Sequence, residues 1–181
     1  MTDEVLMDLV KQDQLNHLGE IFNRYHLRIY GYFHRMTNNQ MLSEDLTQNV
    51  FERIIKFRSS YKERASFQTW IFRIAKNCLM DHFRSMKKSN TRSLDEHHLE
   101  IPSDDPYRDS GDMEERKTLM HQAINKLKDE HKEIILLTRF ENLSYQEAAT
   151  VIGLTENAVK ARVFRAIKNL RKIYSENSYL A

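Results

Sequence analysis

Only two prolines interrupt this 181-residue chain, Pro102 and Pro106, and both fall in one short stretch. Proline breaks a helix because it lacks an amide donor and crowds the preceding turn. On either side of that stretch the chain is free to run in helices. Four glycines in all and a 30% charged share favour that outcome. The 40% apolar share is enough for packed cores, and the length allows one medium domain or two small ones.

Apolar spacing supplies the elements. Residues 3–37 predict two helices, one with Leu6, Leu9 and Val10 inward, the other with Ile21, Phe22, Tyr25, Ile29, Tyr32 and Phe33. Asn38-Asn39 reads as a turn, and Ser43 as the cap of a third helix bearing Leu46, Val50, Phe51, Ile54 and Ile55. Ser59-Ser60 ends it, and Ser66 caps a long helix from Phe67 to about Lys87. Residues 88–112 lose the period and hold both prolines, so they read as a flexible linker. Helices resume near Met113, with Leu119, Ala123, Ile124 and Leu127 on one face. A break at 128–131 precedes another helix that begins at Ile134. The expected fold class is all-α: two small helical domains joined by a flexible acidic linker.

Charge is distributed to match. Residues 67–92 carry six Lys and Arg against one Asp, and residues 155–175 carry six against one Glu. Between them, residues 93–116 carry nine Asp and Glu against two Arg. Two cationic blocks on an acidic tether suit a polyanion gripped at two places. Cys78 is the only cysteine, which excludes an internal disulfide and a cysteine-built zinc site. The eight histidines show no ligand spacing, so neither a metal nor a cofactor is expected. The acidic start, Met1-Thr2-Asp3-Glu4, argues against a signal peptide. No run reaches the roughly 18 apolar residues that a membrane span needs. A cytoplasmic protein without membrane insertion follows as the expectation.

The sharpest local motif spans 144–172. Ser144 with Glu147 three residues on is a capping-box pattern. A short helix over 145–152 contains Ala148-Ala149, small enough for close helix approach, and Gly153 suits the left-handed turn. Leu154 is expected to plug the angle between the helices, and Thr155 to cap the last one. This is helix-turn-helix grammar, in which the second helix enters the major groove. Val159, Val163, Ala166, Leu170 and Ile173 form its core stripe. Asn157, Lys160, Ala161, Phe164, Arg165, Lys168, Arg171 and Lys172 lie on or beside the opposite face. Asn157, Lys160 and Ala161, near the helix start, are placed for base edges, whereas Arg165 and Lys168 are placed for phosphates. Arg162 falls nearer the buried side and reaches a phosphate only by extending outward.

The helix from Phe67 is apolar nearly all round. Phe67, Ile71, Ile74, Ala75 and Cys78 make one face and Phe72, Leu79 and Phe83 another. Its narrow polar stripe is Arg73, Asn77 and Arg84, with Trp70 and Asp81 beside it and Tyr61, Lys62 and Arg64 upstream. Interleaved rings and cations suit single-stranded DNA, although an aromatic stripe on a central helix is more often core than a nucleic-acid platform.

These residues resemble a known family. "IFNRYHLRIYGYFHRMTNNQMLSEDLTQNVFERIIKFR" at 21–58 resembles region 2 of the sigma-70 family in its small extracytoplasmic-function group. "ASFQTWIFRIAKNCLMDHFRSMKK" at 65–88 resembles the part of that region that reads the −10 promoter element. Residues 122–172, with "LSYQEAATVIGLTENAVKARVFRAIKNLRK", resemble region 4, which reads the −35 element. The resemblance implies an alternative sigma factor, not an enzyme, whose partners are core RNA polymerase and promoter DNA. It implies region 2 at 1–88, a linker at 89–112 and region 4 at 113–181, without regions 1.1 and 3. It also implies −35 contacts from Thr155, Asn157, Lys160, Ala161, Arg162, Arg165 and Lys168, and −10 contacts from Trp70, Arg73, Asn77, Asp81 and Arg84. Asp45, Leu46, Gln48, Asn49 and Phe51 would dock on the polymerase clamp helices. An anti-sigma partner is a further candidate that no single residue identifies, and the acidic linker would run near the polymerase active centre. Ala161 stands where many members have Ser or Thr. Its methyl can meet a thymine methyl but donates no hydrogen bond.

Two rival readings make different demands. A stand-alone helix-turn-helix regulator would bind its promoter without polymerase. An enzyme acting on DNA needs a nucleophile or a held carboxylate cluster, yet the acidic residues here crowd into the linker.

Overall fold

The computed structural model describes residues 1–62, 65–90 and 111–178. Every regular element among them is helical. Arg64, the two prolines, the acidic run Asp95–Asp109 and most of the expected linker lie outside the described residues. The chain forms two compact units, one of Met1–Ile101 with Thr150–Gly153 and the other of Pro102–Ala149 with Leu154–Ala181.

The N-terminal unit starts with α1 (Asp3–Lys11), capped by the Thr2 side chain, with Asp3 and Glu4 in its first turn and Lys11 in its last. Those charges complement the helix dipole. Leu6, Met7 and Val10 are fully buried, whereas Leu9 is only half-buried. A turn with Asp13 at φ 63° and a 3-10 turn (Leu15–His17) lead into α2 (Leu18–Thr37). Ile21, Tyr25, Ile29, Tyr32 and Phe33 form its inner stripe. Phe22, expected inside, is 43% exposed: it stacks on His26 one turn along and leans on Phe51.

Asn38 closes α2 in the left-handed region at φ 49°. The cap of α3 (Gln40–Lys56) is then Asn39, whose side chain accepts the Leu42 N–H at 3.0 Å. The expected cap, Ser43, is buried one turn inside and donates its hydroxyl to the Asn39 carbonyl at 2.6 Å. Asn at the end of a turn serves as an N-cap as well as Ser does, so the helix begins one turn earlier than its apolar stripe. Leu46, Val50, Phe51 and Ile54 are buried as expected, and Ile55 is half-buried.

A 3-10 turn (Arg58–Ser60) leads towards α4 (Phe67–Asn90). Ser66 caps α4, its Oγ accepting the Thr69 N–H at 3.3 Å. α2 packs on α3 and α3 on α4, while α1 touches both α2 and α4. Edge-on ring pairs knit the core: Tyr25 with Phe67 at 5.2 Å and Tyr32 with Phe72 at 5.8 Å. Each fully buried large side chain contributes about 1.5–3 kcal/mol. Burial of α4 fades toward its C-terminal end. Phe83, expected inside, is 37% exposed, its ring edge-on to His82 at 5.9 Å.

The C-terminal unit contains α5 (Gly111–Asn125), α6 (Asp129–Ile135), the first part of α7 (Tyr145–Ile152) and α8 (Glu156–Ser178). α8 packs on α5 and α6, with Ala123, Ile124, Ile134, Val159, Val163 and Ala166 in the core. α6 begins at Asp129, ahead of the expected Ile134, because Asp129 and Glu130 make a favourable first turn. It runs into a π-helical turn (Leu136–Phe140), with the Glu141 N–H bonded to the Leu136 carbonyl at 3.0 Å. Apolar spacing alone does not signal such a turn.

Candidate nucleic-acid interface

Each part of the turn between α7 and α8 has a physical cause. Ser144 and Glu147 cap reciprocally: Ser144 Oγ accepts the Glu147 N–H at 3.2 Å, and Glu147 Oε2 accepts the Ser144 N–H at 2.9 Å. Gly153 takes φ 73°, which a side chain would strain. Thr155 Oγ1 accepts the Ala158 N–H at 3.2 Å and starts α8. Leu154 departs from expectation: it is 37% exposed and plugs the turn only in part. The turn is secured instead by the Leu154 N–H, bonded to the Ala149 carbonyl at 3.0 Å.

Along α8, Asn157, Lys160, Ala161, Arg165 and Lys168 are all exposed, with Val159, Val163 and Ala166 buried behind them. Lys160 pairs with Glu156 at 2.8 Å but stays 52% exposed, within easy reach of another anion. Phe164 is 72% exposed in the middle of this face, an apolar edge among cations. Arg162 stands apart. It is half-buried and lies 3.5 Å from Glu130 of α6.

On α4, Arg73, Asn77, Asp81 and Arg84 are all exposed. Trp70 is half-buried, its ring edge-on to Tyr61 at 5.3 Å and tilted against Phe67 at 5.9 Å. Asn77, Asp81 and Arg84 line a cleft of about 600 Å3 together with Arg53, Phe57, Lys76 and Met80. Trp70 and Arg73 lie outside that lining. Sequence reasoning missed Arg53, Phe57 and Met80. The available signal was an apolar pair, Phe57 at 44% and Met80 at 41% exposure, left outside the core stripes. Arg53 Nη1 donates to Asp81 Oδ2 at 2.8 Å, and Arg84 lies 3.6 Å from the other oxygen, so the carboxylate stands between two guanidiniums.

On α3, Asp45 and Gln48 are exposed, and Gln48 bonds Glu52 one turn on at 3.1 Å. Leu46 and Phe51 are each 7% exposed and belong to the core. Asn49 is half-buried and accepts the Cys78 thiol at 3.2 Å. Burial pushes that thiol up to about 11, so it stays protonated at neutral pH. Cys78 packs as a small buried side chain, as expected, with this one polar link. Among the described residues no cluster of His, Cys, Asp and Glu is placed to hold a metal ion. No described helix is long and apolar enough to cross a membrane.

The capped α7, the glycine turn and the one-sided α8 define a helix-turn-helix protein. Residues 21–89 match the family model for sigma-70 region 2, and residues 117–170 match that for sigma-70 region 4. The sigma factor CarQ of Myxococcus xanthus is 29% identical over 157 residues, covering 87% of this chain and 88% of its own. The extracytoplasmic-function sigma factor SigM of Bacillus subtilis is 27% identical, covering 87% and 95%. The fold is similar to that of the sigma factor RpoE solved with the anti-sigma factor NepR from Bartonella quintana. There the TM-score is 0.72 at 19% identity, over 87% of this chain and 96% of that one. The chain belongs to the sigma-70 family, in its extracytoplasmic-function group. Paired matches to regions 2 and 4 decide against a stand-alone regulator, which would need only the second.

Proposed function

We propose that this protein binds bacterial core RNA polymerase and directs it to promoters read at two elements, supplying recognition and no bond chemistry. The observation that carries this reading is the pairing, in one sigma-70 chain, of an outward cationic helix after a glycine turn with a polar cleft on α4. In this reading residues 113–181 dock α8 in the major groove of the −35 element. Thr155, Asn157, Lys160, Ala161 and the exposed Phe164 line the base-facing end. Arg165 and Lys168 hold phosphates, and Arg162 supports the helix through Glu130.

Residues 1–88 dock on the polymerase and engage the parted −10 strand. Asp45 and Gln48 form the docking face, with Asn49 at its edge and Leu46 and Phe51 packed beneath. Asn77, Asp81 and Arg84 line the cleft for an extruded base, with Trp70 and Arg73 further up the helix. Residues 89–112 connect the two. The cytoplasm is the place of action, and a protein that masks these surfaces, an anti-sigma factor, is the natural regulator. Reconstitution with core polymerase and runoff transcription tests the reading. Promoter-dependent transcripts that require the added chain support it, and failure to associate with core polymerase at low salt overturns it.

A further inference from the structure

The matched region 2 begins at residue 21, yet three side chains upstream of it converge on the connection between α3 and α4. Asp13 Oδ1 accepts from Arg58 at the start of that connection, from Nε at 3.1 Å and Nη2 at 2.6 Å. Lys11 Nζ lies 5.9 Å from the ring centre of Tyr61 in its middle. Glu4 Oε1 accepts the Phe67 N–H at 3.2 Å at its end, where α4 begins. Tyr61 is itself buried, against Phe67 and Trp70. Arg58 is fixed from its own side too, its Nη1 bonding the Ile55 carbonyl at 2.8 Å.

Partly exposed contacts of this kind add little to global stability. Holding Arg58, Tyr61 and the Phe67 amide in place instead removes conformational freedom that would otherwise be lost when a ligand is bound. Asp13 sits at φ 63°, so its carboxylate is presented from a turn that Asp and Asn accept and most residues resist.

We infer that α1 and the Asp13 turn brace Arg58, Tyr61 and the start of α4, on which Trp70 packs against Tyr61, for capture of the parted −10 strand, with Glu4, Lys11 and Asp13 as positioning residues. The inference rests on the reading of α4 proposed above. It assigns part of −10 discrimination to residues that touch no DNA.

The test uses the full chain with core polymerase and compares wild type with Asp13→Asn, Arg58→Gln, the double variant and Glu4→Ala. Asn tolerates the left-handed backbone, so Asp13→Asn removes charge without strain. Melting of the −10 element is read by permanganate reactivity across promoters with single −10 substitutions, alongside core affinity and thermal unfolding. Each single variant should lower open-complex formation about twofold to fivefold, the scale of one modest ion pair. Each should also narrow the spread between good and poor −10 sequences while core affinity stays unchanged. The double variant should be no worse than the poorer of Asp13→Asn and Arg58→Gln. An unaltered spread across the panel, with only a lower unfolding temperature, overturns the brace. So does a double variant that loses the product of the two single losses. If wild type itself neither binds core nor opens a promoter, the underlying reading falls, and the wild-type arm shows it first.

Discussion

Arg53 and Asp81, 28 residues apart in the chain, meet at the edge of the α4 cleft through a 2.8 Å hydrogen bond. Both are substantially exposed, at 30% and 48%, so the pair contributes at most about 1 kcal/mol to stability. Its value lies in aiming the carboxylate. Asp81→Asn should leave the unfolding midpoint nearly unchanged while reducing open-complex formation. Asn77→Ala should likewise depress opening more than −35 duplex binding. Permanganate footprinting beside a −35 gel-shift assay checks both, and equal losses at the two elements would indicate a damaged fold.

Arg165 and Lys168 make a different prediction. Exposed on the outer face of α8, they should hold phosphates and not bases. Reversing both charges should weaken −35 binding across all sequences. It should also reduce the slope of log K against log salt by about 1 for each phosphate no longer neutralised. Titrations over a range of salt concentrations measure this directly, and an unchanged slope contradicts the phosphate role.

The reciprocal cap of α7 should be needed for the helix-turn-helix to hold its shape. Ser144→Ala removes an acceptor for the Glu147 N–H and should cost about 1 kcal/mol. Glu147→Ala should cost a similar amount, and the double variant less than the sum, because the two bonds form one unit. Denaturant unfolding of the four proteins completes the cycle.

Lys132 gives the C-terminal unit a pH dependence. Burial lowers its proton affinity below the ordinary 10.5, with Asp129 opposing the shift. The folded protein therefore holds this proton less tightly than the unfolded chain does. The resulting penalty is fully present below the folded pKa and is relieved as pH rises from there to 10.5. Lys132→Met should raise stability at neutral pH, and that advantage should shrink as the solution is made alkaline. Urea unfolding of both proteins from neutral to alkaline pH tests it. The difference between them cancels the opposite slope from Cys78 and Tyr25, whose buried acids are harder to ionise when folded.

Much of this was legible in the sequence because its causes are local. Ser144, Glu147, Gly153 and Thr155 act within a few residues of one another, so spacing alone located α7, the turn and the start of α8. The cap of α3 is ambiguous in the sequence because Asn39 and Ser43 are both competent and only tertiary packing chooses between them. Phe22 and Phe83 carried the right period, but period says nothing about whether a neighbour extends far enough to cover a ring. The pairings that shape the surfaces, Arg53 with Asp81, Arg162 with Glu130 and Glu4 with the Phe67 amide, join residues far apart in the chain. No windowed pattern can see them.

The thiol of Cys78 and the amide oxygen of Asn49 tie α4 to α3, two helices that meet different partners under the proposed reading. Arg53 and Asp81 join α3 to α4 a second time further along. Under the proposed reading, a tug on the enzyme-facing side is felt at once on the strand-facing side. Docking and reading would then be two ends of a single lever, and no separate signal need pass between them.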